Sequence, residues 1–129
     1  MRINLIGIFV DDQQKALDFY TNVLGFKKNQ DIPVGEFRYI TVASPEGGDA
    51  ELSLEPNVNP AAKTYQEALF EQGIPITAFE VDDLASEFRR LSDLGVAFTT
   101  EQTNAGDVTF AVFVDTCGNL IQIYQPSSS

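Results

Sequence analysis

"ITAFEVDDLASEFRRLSDLGVAF", residues 76–98, decides the fold, because an earlier stretch shares its layout: "LIGIFVDDQQKALDFYTNVLGF", residues 5–26. Each is a short apolar run, then Val-Asp-Asp, then a helical pattern that closes on Leu-Gly. From Asp11 to Asp82 the interval is 71 residues. The same interval separates Gly47 from Gly118, within "YITVASPEGGDAELSL" (39–54) and "TFAVFVDTCGNLIQIY" (109–124). An interval that recurs at two separated anchors marks one supersecondary unit used twice.

Local signals inside each unit agree. Asp12 and Asp83 are expected N-caps, since a short carboxylate can accept from the free amides of a first helical turn. Ala16, Tyr20, Val23 and Leu24 fall on one side of the first helix, and Leu84, Phe88, Leu91 and Leu94 on one side of the second. Gly25 and Gly95 suit the left-handed turn that ends a helix. "FRYITVA" and "AELSLE" read as strands in the first unit, "VTFAVFV" and "LIQIY" in the second, with turn-rich "SPEGGD" and "DTCGN" between them. Further strands are expected near 26–31 and 96–100. Each unit is thus strand, helix, then about three strands. Between the units, Asn59 can cap, Pro60 suits a first helical position and Gly73 closes, which predicts a linker helix over 60–72. The expectation is one domain over 1–129, with module one at about 3–56 and module two at about 75–126.

The bulk properties narrow the function. A chain of 129 residues with 43% hydrophobic content can bury a real core. The apolar run "INLIGIFV" is too short to cross a bilayer and no small-residue cleavage site follows it. A soluble, cytoplasmic protein with no membrane partner is therefore expected. Cys117 is the single cysteine, which rules out an internal disulfide and fits a reducing compartment. With 8 basic and 19 acidic residues the net charge is −11, so phosphate backbones are repelled and nucleic acid is excluded as a partner. The acidity reads either as surface solubility or as carboxylates that line a cavity for a cationic ligand. There is no histidine. That removes His general bases, His triads and His zinc sites, and any metal would need oxygen ligands.

This organisation resembles the vicinal oxygen chelate superfamily, which includes glyoxalase I, extradiol dioxygenases and the fosfomycin- and bleomycin-resistance proteins. The resemblance spans about residues 3–126. It is carried by the paired Val-Asp-Asp helix starts (10–12 and 81–83), "ALDFYTNVLGF" (16–26), "AELSLEP" (50–56) and "DTCGNLIQIYQ" (115–125). It implies an α+β fold of two tandem βαβββ modules whose curved mixed sheets surround a ligand cavity, often in a homodimer. In metal-dependent members four cavity positions hold the ion. Here they are Leu5, Ile76, Glu51 and Gln122, so three of four depart from the usual His and Glu. Leu and Ile have no electron pair to donate, and two oxygen ligands do not satisfy a divalent ion. No metal and no cofactor are expected, and Gln122 reads as a former ligand position turned into a neutral hydrogen-bonding group.

Strand alternation names the rest of the wall. If Leu5 faces inward, Gly7 and Phe9 follow, while Ile6, Ile8 and Val10 pack on a helix. If Glu51 faces inward, so do Ser53 and Glu55, leaving Ala50, Leu52 and Leu54 for the core. Ile76, Ala78 and Glu80 follow the same rule, as do Leu120, Gln122 and Tyr124, and Phe37, Tyr39 and Thr41 are placed with them. An apolar, aromatic wall with a few carboxylates suits an organic cation. Glu51 can instead be held by Arg38 or a backbone donor and be purely structural.

Three functions follow. The first is a binding protein that sequesters a small, cationic molecule. An unpaired inward Glu51 would then resist ionisation. The second is a metal-independent isomerase or lyase with Glu51 as general base, although no electrophile is visible and parity turns Arg38 away. The third is a structural or regulatory dimeric domain.

Overall fold

The computed structural model describes residues 1–127. Its contacts divide the chain into two compact units, one from Met1 to Gln66 and one from Glu67 onward. The first unit contains β1 (Leu5–Val10), α1 (Gln13–Asp18), β2 (Lys27–Val34), β3 (Phe37–Ala43) and β4 (Glu51–Pro56). The second contains β5 (Thr77–Glu80), α3 (Leu84–Asp93), β6 (Phe98–Asn104), β7 (Val108–Val114) and β8 (Leu120–Pro126). Helix α2 (Pro60–Glu71) joins them. Each unit is a βαβββ-like module with a four-stranded mixed sheet, ordered β1-β4-β3-β2 and β5-β8-β7-β6. The opening strand runs parallel to the closing strand in both, and the other pairs are antiparallel. A parallel pair needs a crossover, and the helix of each module supplies it. No helix among the described residues is long and apolar enough to cross a membrane.

The helix starts form as their residues dictate. Asp12 accepts from the Lys15 amide at 3.0 Å, and Asp83 from the Ser86 amide at 3.1 Å. Both helices end at a glycine with positive φ, 91° at Gly25 and 87° at Gly95, where a Cβ would be strained. Asn59 caps α2 by accepting from the Ala61 amide at 2.9 Å. Buried Gln66 ties α2 to the first module, donating to the Phe9 carbonyl at 3.0 Å and accepting from Asn57 at 2.8 Å.

The core of the first module is Ile8, Val10, Ile40, Val42 and Leu54 together with Ala16, Leu17, Phe19 and Tyr20, all buried. The helical pattern is not regular here. A π-helical turn over Phe19–Val23 follows α1. Its extra residue per turn rotates the apolar face, so Leu17 and Phe19 join Ala16 and Tyr20 while Val23 and Leu24 are only half-buried. Three other core expectations are corrected. Ile6 is half-exposed, Ala50 lies outside β4 and is exposed, and Leu94 is exposed because it sits at the C-cap beyond the last turn of α3. In the second module Leu84 and Leu91 are buried with Ala111, Phe113, Ile121 and Ile123, and Phe88 packs on Phe98 with ring centres 4.5 Å apart.

The modules differ at one place. β7 and β8 pair along their whole length, from Val108 with Pro126 to Val114 with Leu120. β3 and β4 pair over Thr41–Ala43 and Glu51–Ser53. Beyond that point the Gln13 side chain lies between the strands. Its amide donates to the Arg38 carbonyl at 2.6 Å and the Leu54 carbonyl at 2.8 Å, and its oxygen accepts from the Arg38 amide at 3.1 Å. A side-chain amide thus stands in for missing ladder bonds.

Candidate functional site on the helix-free sheet face

Registered neighbours on adjacent strands share a face of the sheet. In the first module Leu5 lies beside Glu51, Gly7 beside Ser53 and Phe9 beside Glu55. Ser53 lies beside Thr41, and Glu51 beside Ala43. Thr41, Tyr39 and Phe37 lie beside Gln30, Ile32 and Val34, and Ala43 beside Lys27. The face turned away from α1 therefore carries Leu5, Gly7 and Phe9 on β1, Glu51, Ser53 and Glu55 on β4, and Phe37, Tyr39 and Thr41 on β3. It also carries Ala43 on β3 and Lys27, Gln30, Ile32 and Val34 on β2, a strand whose faces the sequence did not assign.

Glu51 is the organising group of this face. Its Oε1 accepts from the Thr41 hydroxyl at 2.6 Å and from the Asn29 amide at 2.6 Å. The Thr41 Oγ in turn accepts from the Gln30 amide N–H at 3.2 Å. Asn29 reaches Glu51 because the β2–β3 register shifts between Lys28 and Gln30, which makes Asn29 the extra residue of a bulge. Both donors favour the charged form. The Thr41 bond, then the Asn29 bond, hold the Glu51 carboxyl below its ordinary value against a smaller opposing effect of burial. The expectation that Glu51 resists ionisation is overturned, since it omitted these two donors. Arg38 does not serve Glu51. It lies on the other face, bonded to Asp31 at 2.6 and 3.0 Å and to Gln14 at 2.7 Å.

Glu55 has a different support. The Ser53 hydroxyl donates to its Oε2 at 3.2 Å, and the carboxylate lies back over Gly7, where any Cβ would collide with that oxygen. Ser53 and Thr41 are buried, while Glu55 is exposed.

The second module repeats the layout with other chemistry. Ala78 lies beside Gln122, which lies beside Val112, and Glu80 lies beside Tyr124, which lies beside Phe110. Ile76 immediately precedes β5, its amide bonded to the Leu120 carbonyl at 2.9 Å. Val112 lies where Thr41 does in the first module and its neighbour Gln122 lies where Ser53 does, while the register counterpart of Glu51 is Leu120, beside Val114. Cys117 is buried in the turn before β8, where buried Asp115 accepts from its amide at 2.7 Å, from the Asn119 amide at 2.9 Å and from the Asn119 side chain at 2.8 Å. Among the described residues no group of three or more His, Cys, Asp or Glu side chains is placed to hold a metal ion.

Comparison with known proteins agrees with this geometry. A family model described as the Glyoxalase/Bleomycin resistance protein/Dioxygenase superfamily matches residues 2–123. The chain is 56% identical over 126 residues to YurT, an uncharacterized protein of Bacillus subtilis (strain 168), with 97% of this chain and 99% of that one covered. Its structure resembles that of UcmS2, with a TM-score of 0.84, 28% identity, and 96% and 97% of the two chains covered. It also resembles TnmS3, an antibiotic binding protein from Streptomyces sp. CB03234, with a TM-score of 0.77, 28% identity, and 98% and 97% covered.

Proposed function

We propose, for a chain that belongs to the Glyoxalase/Bleomycin resistance protein/Dioxygenase superfamily, that it binds a small organic cation and does not transform it. The observation that carries this reading is the state of Glu51. Both donors go to one oxygen, Oε1, and keep the group ionised. Oε2 is left to meet a ligand donor on a face that also bears Leu5, Phe9 and Tyr39. A fixed carboxylate among aromatic and aliphatic side chains suits an ammonium or amidinium group. The structural relative TnmS3 is an antibiotic binding protein, which supports small-molecule capture as the role of this scaffold.

The same residues argue against a resident metal. Leu5 and Ile76 offer no electron pair, Glu51 has one oxygen committed to two donors, and divalent ions want four or more ligands. The general-base alternative is weakened by the same hydrogen bonds, because a carboxyl held below its ordinary value is a poor proton acceptor near neutrality. On this reading Glu51 anchors a ligand, and the protein acts as a homodimer.

A thermal-shift screen of organic amines, run with and without a chelator beside native mass spectrometry, tests the proposal. Amines should raise the melting temperature of the wild type equally in both conditions, and Glu51→Gln should abolish the effect. Stoichiometric metal, with stabilisation or turnover lost to the chelator, would contradict it.

A further inference from the structure

We propose that Gly7 is a positioning residue that gives this face a second anionic anchor, Glu55, so that the cation it takes carries two positive groups. The inference rests on the binding reading above. Gly7 does not serve a turn. It lies within β1, and no positive φ requires a glycine there. Glycine in a strand interior weakens the strand, so its presence points to a close approach. The approaching group is the Glu55 carboxylate, whose Oε2 occupies the space a Gly7 side chain would need, with Ser53 Oγ also at 3.0 Å from that space. The absent Cβ lets Glu55 fold back from its own position beside Phe9 to a position over Gly7.

The consequence is geometric. Glu51 leans along β3 toward Thr41, and Glu55 leans back to Gly7. Thr41, Ser53 and Gly7 form one registered row across β3, β4 and β1. The ends of that row are two strand spacings apart, about 10 Å. Two carboxylates thus flank one row, each with one oxygen held by a hydroxyl, Oε1 of Glu51 by Thr41 and Oε2 of Glu55 by Ser53. An elongated diamine can meet both ends at once, whereas a monoamine of equal length meets one. The registered counterpart in the second module, beside Gln122, is Ala78, which carries the Cβ that Gly7 lacks.

Calorimetric titration with hexamethylenediamine and hexylamine tests this in the full chain. The wild type should bind the diamine on the order of tenfold more tightly than the monoamine, the yield of one further charge-assisted contact. Gly7→Ala and Glu55→Gln should each remove that preference, bringing the diamine affinity down to that of the monoamine. The double variant should lose no more than either single one. The melting temperature of unliganded Gly7→Ala should not fall below the wild-type value, since the group that must move is the end of a flexible side chain and alanine favours the strand over glycine. A diamine preference that survives Gly7→Ala would overturn the inference while the Glu51 reading stands. Failure of the wild type to bind either amine would overturn both.

Discussion

Thr41 donates its hydroxyl to Glu51 at 2.6 Å across neighbouring strands, and that bond is the first support of the carboxylate's charged form. It is the largest of the effects that hold the carboxyl below its ordinary value, with the Asn29 bond second and burial opposing both. Thr41→Val therefore should raise the Glu51 value, read by carbon NMR of the side-chain carboxyl across an acid titration. The sign for stability follows. A group whose folded value is depressed stabilises the fold above its unfolded value, and that contribution fades as pH falls through the folded value. The difference between wild type and Thr41→Val should thus shrink in acid below the ordinary glutamate value of 4.5. A titration curve unmoved by the substitution would show that Thr41 does not set the charge.

Gln13 supplies three hydrogen bonds where β3 and β4 part. Gln13→Leu, which copies the residue at the equivalent position of the second module, leaves the Arg38 amide and the Arg38 and Leu54 carbonyls without those partners. Urea unfolding at neutral pH should show a loss of about 1–3 kcal/mol. An unchanged midpoint would mean that water replaces the amide without cost.

Asp115 is fully buried and accepts from two backbone amides and one side-chain amide around Cys117 and Asn119. The adjacent Thr116 has φ of 66°, an uncommon conformation for a β-branched residue, so this turn relies on its hydrogen bonds. Asp115→Ala should destabilise the chain by about 3 kcal/mol or more in denaturant melts, at or above the upper end of the loss expected for Gln13→Leu. A loss under about 1 kcal/mol would assign the turn to backbone geometry alone.

Much of the fold was legible because it rests on local chemistry repeated at a fixed interval. Asp12 and Asp83 announce the helix starts, Gly25 and Gly95 the helix ends, and alternation on β1, β3 and β4 places Leu5, Thr41 and Glu51 on one face. The partners of Glu51 were not legible. Asn29 reaches it only through a bulge, and a bulge is a property of how two strands pair rather than of either strand. The partners of Gln13 and Gly7 were hidden for the same reason, since the groups they meet lie 25 to 48 residues away in sequence. The π-helical turn at Phe19–Val23 likewise follows the packing of Phe19 and Tyr20 and leaves no distinct mark in the residue pattern.

On the proposed reading an ionised Glu51 grips an organic cation without a metal. Calorimetric titration of the most stabilising amine into wild type and Glu51→Gln, at neutral pH with a chelator present, tests it most directly. The wild type should bind, and the variant should lose about 10- to 100-fold in affinity, the yield of one hydrogen bond to a charged group. Equal affinity in the two proteins, or wild-type binding that disappears with the chelator, would contradict it.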